Sequence, residues 1–258
     1  MVHYVLDQSR STHVVQDQLA GVERGIISGD RYSAYKKFAR LDPGVVLAFC
    51  WAHQRRDFLE LANAYPDLSP CALAWVDAIA KRYPLNGLRL KARSGSVERA
   101  AAQVTLQQAV QARADQRAIA LADLLLAAPA TKVLHSMTVH WSGLTVFVAH
   151  PWVAMDNNTA ERDMRGPVVG RKNFYGSGSQ WSGELAATMY SVLMTLKLWR
   201  LNARTWLGAY LQACADNGNQ APDDLSAFLP WAMDAKRLAH MRASAPGARP
   251  VTEGIDSS

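Results

Sequence analysis

Cysteine is scarce, with three in 258 residues. An odd, scattered set (Cys50, Cys71, Cys214) argues against a disulfide framework and fits a reducing compartment. Long apolar runs are missing too, and nothing approaches the roughly 18–20 residues that span a bilayer. The first residues, Met-Val-His-Tyr-Val-Leu-Asp, lack the basic and apolar stretches of a signal peptide. The expected location is therefore cytoplasmic, with no membrane. There is no internal repeat and no Ser/His/Asp or Cys/His nucleophile arrangement. Acidic charge is in the minority: 28 Lys and Arg against 22 Asp and Glu give a net charge of +6, compatible with a polyanionic partner without requiring one. What is present is ordinary for a globular protein. Hydrophobic residues make up 49% and charged residues 19%, which excludes a disordered chain. The length allows one large domain or two small ones with a substantial core.

Strand and helix signals alternate over residues 1–50. Strands are expected at 2–6, 25–28 and 45–50, and helices from Ser11 to about residue 20 and over 31–39. Such alternation implies βαβ units. A strand at residues 2–6, with nothing before it, suggests sequence missing upstream. From residue 52 to about 128 the alternation gives way to helical periodicity over 53–65, 70–83 and 97–128. Residues 131–150 read as helical, although 138–148 are rich in β-branched and aromatic types. A glycine–serine turn at 175–179 precedes helices over 183–199 and 203–215. A short helix and a loose tail complete the chain.

Candidate chemistry gathers at three places. Asp30 directly follows the 25–28 strand, at the carboxyl end where α/β sheets hold ligands; a helix N-cap is the plainer alternative. Cys50 and His53 form half a zinc site by spacing, but no second pair completes four ligands. A buried thiol and a hydrogen-bonded core histidine are the competing reading. The third place is Asp156-Asn157-Asn158-Thr159-Ala160-Glu161-Arg162, followed by Gly170-Arg171-Lys172-Asn173. Asp156 as N-cap and Pro167 as stop predict a helix over 157–166. On it Asn158, Glu161, Arg162 and Arg165 share one face. That face suits a metal ion and a phosphodiester, or else is a solvated surface with a Glu161–Arg165 pair. Arg55, Arg56, Lys36 and Lys37 add cations, interleaved with Tyr32, Tyr35, Trp51, Phe174 and Tyr175, which supply the phosphate contacts and stacking surfaces that nucleic acid needs.

Together with Gly29-Asp30-Arg31-Tyr32-Ser33-Ala34-Tyr35 and Cys50-Trp51-Ala52-His53-Gln54-Arg55-Arg56-Asp57-Phe58, these strings resemble transposases of the insertion-sequence-66 family over residues 2–215. The resemblance implies a DDE-type enzyme with a ribonuclease-H-like core, in which three carboxylates hold two divalent ions, Mg²⁺ or Mn²⁺. Asp30 matches the second carboxylate and Glu161 the third, 131 residues apart. The first Asp of the family lies upstream of residues 2–6, and Asp7 does not replace it. The expected fold is α/β plus α: a partial ribonuclease-H-like core at 1–52, a helical insertion at 53–150, the catalytic-Glu helix and C-terminal helices at 151–217, and a tail at 218–258. Asp30 and Glu161 are the expected metal ligands. Arg162, Arg165, Arg171, Lys172, Arg55 and Arg56 are the expected DNA contacts, and Cys50, His53, Asn157 and Asn158 lie near the site. The implied partners are insertion-sequence ends and target DNA, further copies of the chain, and a separate N-terminal half or accessory proteins. With one triad member absent, the chain is expected to be weak or inactive alone; a non-catalytic DNA-binding or assembly module is the alternative.

Overall fold

The structure is a computed structural model that describes residues 1–173 and 177–242. Phe174, Tyr175 and part of the expected glycine–serine turn lie outside the described residues, as do residues 243–258 of the expected tail. Helix dominates, and no described helix is long and apolar enough to cross a membrane. The chain divides into two compact units. One is Asp7–Arg162; the other joins Met1–Leu6 to Asp163–Ser258.

In the first unit, α1 (Thr12–Gln18) precedes β1 (Gly25–Gly29), and α2 (Ser33–Leu41) crosses over to β2 (Val45–Phe49). The strands pair in parallel, with Gly25 opposite Val45 and Gly29 opposite Phe49. A parallel pair needs such a crossover, and the helix supplies it. Among the described residues these two strands are the whole sheet, so the wider ribonuclease-H-like sheet is not seen. From β2 the chain enters α3 (Trp51–Ala64), then α4 (Ser69–Ala80), α5 (Arg82–Lys91), α6 (Val97–Ala122) and α7 (Ala128–Val139). Two single turns follow, α8 (Trp141–Leu144) and α9 (Val146–Ala149), so residues 138–148 are helical despite their β-branched composition. Trp51, Phe58, Ile79, Leu106, Leu134, Met137, Leu144 and Phe147 are all at most 2% exposed and form one core. Burial of that face, more than β propensity, decides the state of 138–148. Gly143 lets α8 close on β2: a Cβ there would meet the Phe49 ring and stand 2.8 Å from the Leu47 carbonyl oxygen.

The second unit holds most of α10 (Asn158–Asn173), then α11 (Gln180–Leu198), α12 (Ala203–Asp216) and α13 (Ala235–Arg242). Leu196, Leu201, Trp206, Phe228, Met233 and Met241 make its core. Two sequence expectations are corrected here. Residues 2–6 are not a strand. They lie along α11, where Thr195 Oγ1 accepts from the Val2 N–H (3.0 Å) and Ser191 Oγ from the Tyr4 N–H (2.8 Å). Hydroxyls four residues apart on a helix thus replace a neighbouring strand.

Nor does α10 stop before Pro167; it runs through it to Asn173. An internal proline removes the N–H that would bond the carbonyl four residues earlier, here that of Asp163. The Tyr4 hydroxyl donates to that carbonyl at 2.7 Å. We expect Tyr4→Phe to cost about 1 kcal/mol, the net worth of such a bond. In a Pro167→Ala background, where the backbone N–H returns, the same change should cost markedly less. Urea unfolding of the four proteins in this cycle gives the coupling, and additive losses would contradict the assignment.

Candidate functional site

The β1–α2 turn places the first carboxylate. Asp30 follows β1 at the surface, and its Oδ1 accepts the Tyr32 N–H at 3.0 Å. It therefore acts as a local turn acceptor while its other oxygen keeps its capacity. Beside it Arg31 makes a two-pronged bond to Asp57 on α3, Nη1 to Oδ2 at 2.6 Å and Nη2 to Oδ1 at 2.9 Å. Arg31 Nη1 also donates to Ser136 Oγ on α7 at 3.0 Å. The fork fixes the turn that carries Asp30 onto two helices. Asp57 lies inside the Cys50–Phe58 string, so two of the strings that stand apart in sequence are physically joined.

A second junction forms at the start of α3. Cys50 is 3% exposed, and its sulfur accepts the Asn157 N–H at 3.4 Å. The Trp51 N–H donates to the Met155 carbonyl at 2.9 Å. These bonds clamp residues 155–157 onto the helix N-terminus and satisfy one of its orphan donors. Asp156 Oδ1 then accepts the Asn158 N–H at 3.1 Å in a turn just ahead of α10. The helix begins at Asn158, so the N-cap position falls to Asn157, whose carbonyl accepts the Glu161 N–H at 3.0 Å, and not, as expected, to Asp156. One turn further on, Glu161 Oε1 reaches His53 Nε2 at 3.4 Å. The Cys-x-x-His string and the Asp-Asn-Asn-x-x-Glu-Arg string thus converge across 107 residues. Among the described residues no three His, Cys, Asp or Glu side chains group so as to hold a metal, and neither Asp30 nor Glu161 belongs to such a group.

His53 Nδ1 and Asn157 Oδ1 are both buried without a hydrogen-bond partner, so this junction has unspent polar capacity. Tyr83 on α5, which the sequence reading missed, backs it. Burial first, and then the Asp156 carboxylate, push its phenol up, with Arg55 opposing. Arg55 and Arg56 are exposed on α3. On α10 no residue is buried, and Asn158, Glu161, Arg162, Arg165, Arg171 and Lys172 are all exposed. Because the helix continues past Pro167, Lys172 falls seven residues after Arg165 and eleven after Glu161, on the same face. Arg171 lies roughly a quarter-turn around the helix from Glu161 and Lys172.

Next to the Arg31 fork, α3 and α7 enclose a cleft of about 730 Å³ lined by Arg31, Asp57, Lys132, Ser136 and His140 among others. His140 Nε2 faces the Lys36 ammonium at 3.2 Å, and Nδ1 faces the Ser136 carbonyl at 2.7 Å. An ammonium can only donate, so Nε2 accepts, Nδ1 donates and the ring is neutral. Burial lowers its pKa, as do the Lys36 and Arg31 charges; the Ser136 carbonyl and Asp57 oppose. Below pH 6.5 the unfolded chain binds a proton that the folded chain resists, so this residue's contribution is lost as pH falls through that range. The unfolding free energy should therefore fall from pH 7 toward pH 5, with a shallower slope in His140→Gln. An unchanged slope would count against a neutral His140.

Among the described residues, helices around a two-stranded parallel sheet bring the acidic start of α10 beside the Cys-x-x-His string, with a cationic run following along α10. Comparison with known proteins gives the family. The Transposase IS66 family matches residues 1–185, and the chain belongs to that family. Its curated relatives include uncharacterized proteins of Sinorhizobium fredii (strain NBRC 101917 / NGR234). One, y4jD, is 29% identical over 92% of this chain and 46% of its own length. Another, y4hP, is 29% identical over 89% of this chain and 43% of its own. The chain thus spans less than half the length of these relatives. No solved structure matches.

Proposed function

We propose that the chain is the part of a DDE-type transposase that carries two metal-binding carboxylates, Asp30 and Glu161, and a DNA-binding surface made by Arg162, Arg165, Arg171 and Lys172 with Arg55 and Arg56. The observation that carries this reading is the junction of Cys50 and His53 with Asn157 and Glu161, in a chain of the IS66 transposase family. Oxygen-only donors match Mg²⁺ or Mn²⁺, and residues 1–52 correspond to part of a ribonuclease-H-like core in this reading. The substrates are insertion-sequence ends and target DNA, handled by several copies of the chain.

The donor count favours a second reading for the isolated chain, a non-catalytic DNA-binding or assembly module. Glu161→Gln separates the two. For the catalytic reading, joining of end-bearing duplexes in Mg²⁺ should fall by a factor of at least about a hundred while duplex affinity stays within about twofold. Joining that survives Glu161→Gln removes that residue from the reaction. No joining by either protein, with unchanged affinity, leaves the module.

A further inference from the structure

Away from this junction, the helical part of the first unit buries positive charge with nothing opposite it. Arg82, at the start of α5, is 2% exposed. Its Nε, Nη1 and Nη2 atoms are all buried without a hydrogen-bond partner. The guanidinium lies over the Trp51 ring, 4.4 Å from its centroid. Arg113 and Arg117, one turn apart on α6, also lie over rings, Trp75 at 5.2 Å and Trp141 at 4.3 Å, although Arg113 Nη1 donates to Gln116 Oε1. Arg113 Nε and Arg117 Nη1 are buried and unpartnered as well. Trp51 and Trp141 meet edge to face at 5.9 Å, which holds two of the three arginine–tryptophan stacks against each other. Neither of the ion pairs Arg31–Asp57 and His53–Glu161 involves these arginines, and the partner of Arg113 Nη1 is the uncharged Gln116 amide. Burial, and after it the Arg113 charge, bring Arg82 down to about 9, so it remains a cation at neutral pH.

Packing alone does not account for this. A like-charge pair at i, i+4 is unfavourable on a helix, and a buried guanidinium with five donors and no acceptor is costly. Tryptophan faces stabilise a cation but use none of its N–H groups. What satisfies planar, forked donors from several directions is an oxyanion, and guanidinium matches phosphate in particular. Arg113 and Arg117 are only partly buried, so the cluster reaches the surface on α6. We infer that Arg82, Arg113 and Arg117 form a binding site for a phosphate oxyanion, either free phosphate or a phosphodiester of a nucleic acid. The site stands apart from the Asp30 and Glu161 assignments and does not rest on them.

The test is the thermal stability of the whole chain in chloride and in inorganic phosphate at matched ionic strength. Wild-type Tm should climb with phosphate and level off, as binding to the folded state alone requires. In chloride, Arg82→Met should match or exceed the wild type, because it removes an uncompensated buried charge. In phosphate that order should reverse, with Arg82→Met no longer responding. Arg117→Met, at a less buried position, should also weaken the response. A short duplex that abolishes the phosphate response in wild type identifies a phosphodiester as the ligand. A duplex that leaves the response intact identifies free phosphate. A wild-type Tm indifferent to phosphate overturns the site, and so does a phosphate response equal in all three proteins.

Discussion

Trp51→Ala should lower the unfolding free energy by about 3–5 kcal/mol, the range for truncating a fully buried aromatic side chain. Set against a total of about 5–15 kcal/mol for a typical domain, that is enough to leave the first unit largely unfolded on mild heating. Several contacts fail together. The indole is 0% exposed, and its N–H donates to the Leu144 carbonyl at 2.6 Å. Its faces meet Trp141 and Arg82. Alanine opens a cavity at the point where β2 enters α3, withdraws the donor from Leu144 and strips Arg82 of its stacking surface. Trp51→Phe keeps a ring and loses mainly the N–H, so it should cost far less. As a control, Trp152→Ala removes an indole that is 76% exposed and should change stability by under about 0.5 kcal/mol. Urea unfolding followed by circular dichroism measures all three. A Trp51→Ala loss below 1 kcal/mol would show that the core relaxes around the gap.

The same residue shows what can be read from the chain and what cannot. Strand and helix patterns place β1, β2, α3, α4, α11 and α12 closely, because apolar spacing reports which face is buried; α6 ends at Ala122, short of the expected 128, and α5 is unexpected. They cannot report what a segment is buried against. Residues 2–6 have the alternation of a strand, yet their partners are Ser191 and Thr195 hydroxyls nearly two hundred residues away. Pro167 is a stop signal that fails because Tyr4, remote in sequence, occupies the carbonyl it frees. The motifs fare similarly. Asp30, Cys50, His53, Asn157 and Glu161 stand out as strings, but only the folded chain brings Cys50 to Asn157 and His53 to Glu161. The bond from Arg31 to Asp57 and the position of Tyr83 have no local signature. Arg113 and Arg117 did leave one, in like charges at i, i+4 on a helix rich in alanine and glutamine.

Replacing Arg162, Arg165, Arg171 and Lys172 together by glutamine should reduce the salt dependence of duplex binding by a slope of about 3–4, since each phosphate contact contributes roughly 0.9. Between 50 and 200 mM salt, the wild type should therefore lose about a hundredfold more affinity than the variant. Folding is not the cause of such a change, because no residue of α10 is buried and exposed substitutions of this kind cost little stability. Single substitutions sharpen the expectation. Arg165 and Lys172 lie on the Glu161 face of α10, whereas Arg171 lies around the helix from them. A duplex that presents its phosphates to Glu161 must track Arg165 and Lys172, so their single losses should each lower the slope by about one. Arg171→Gln should lower it by less. Equal losses at Arg171 and Lys172 would mean that DNA meets α10 without a preferred face, and the link between these cations and Glu161 would then be lost.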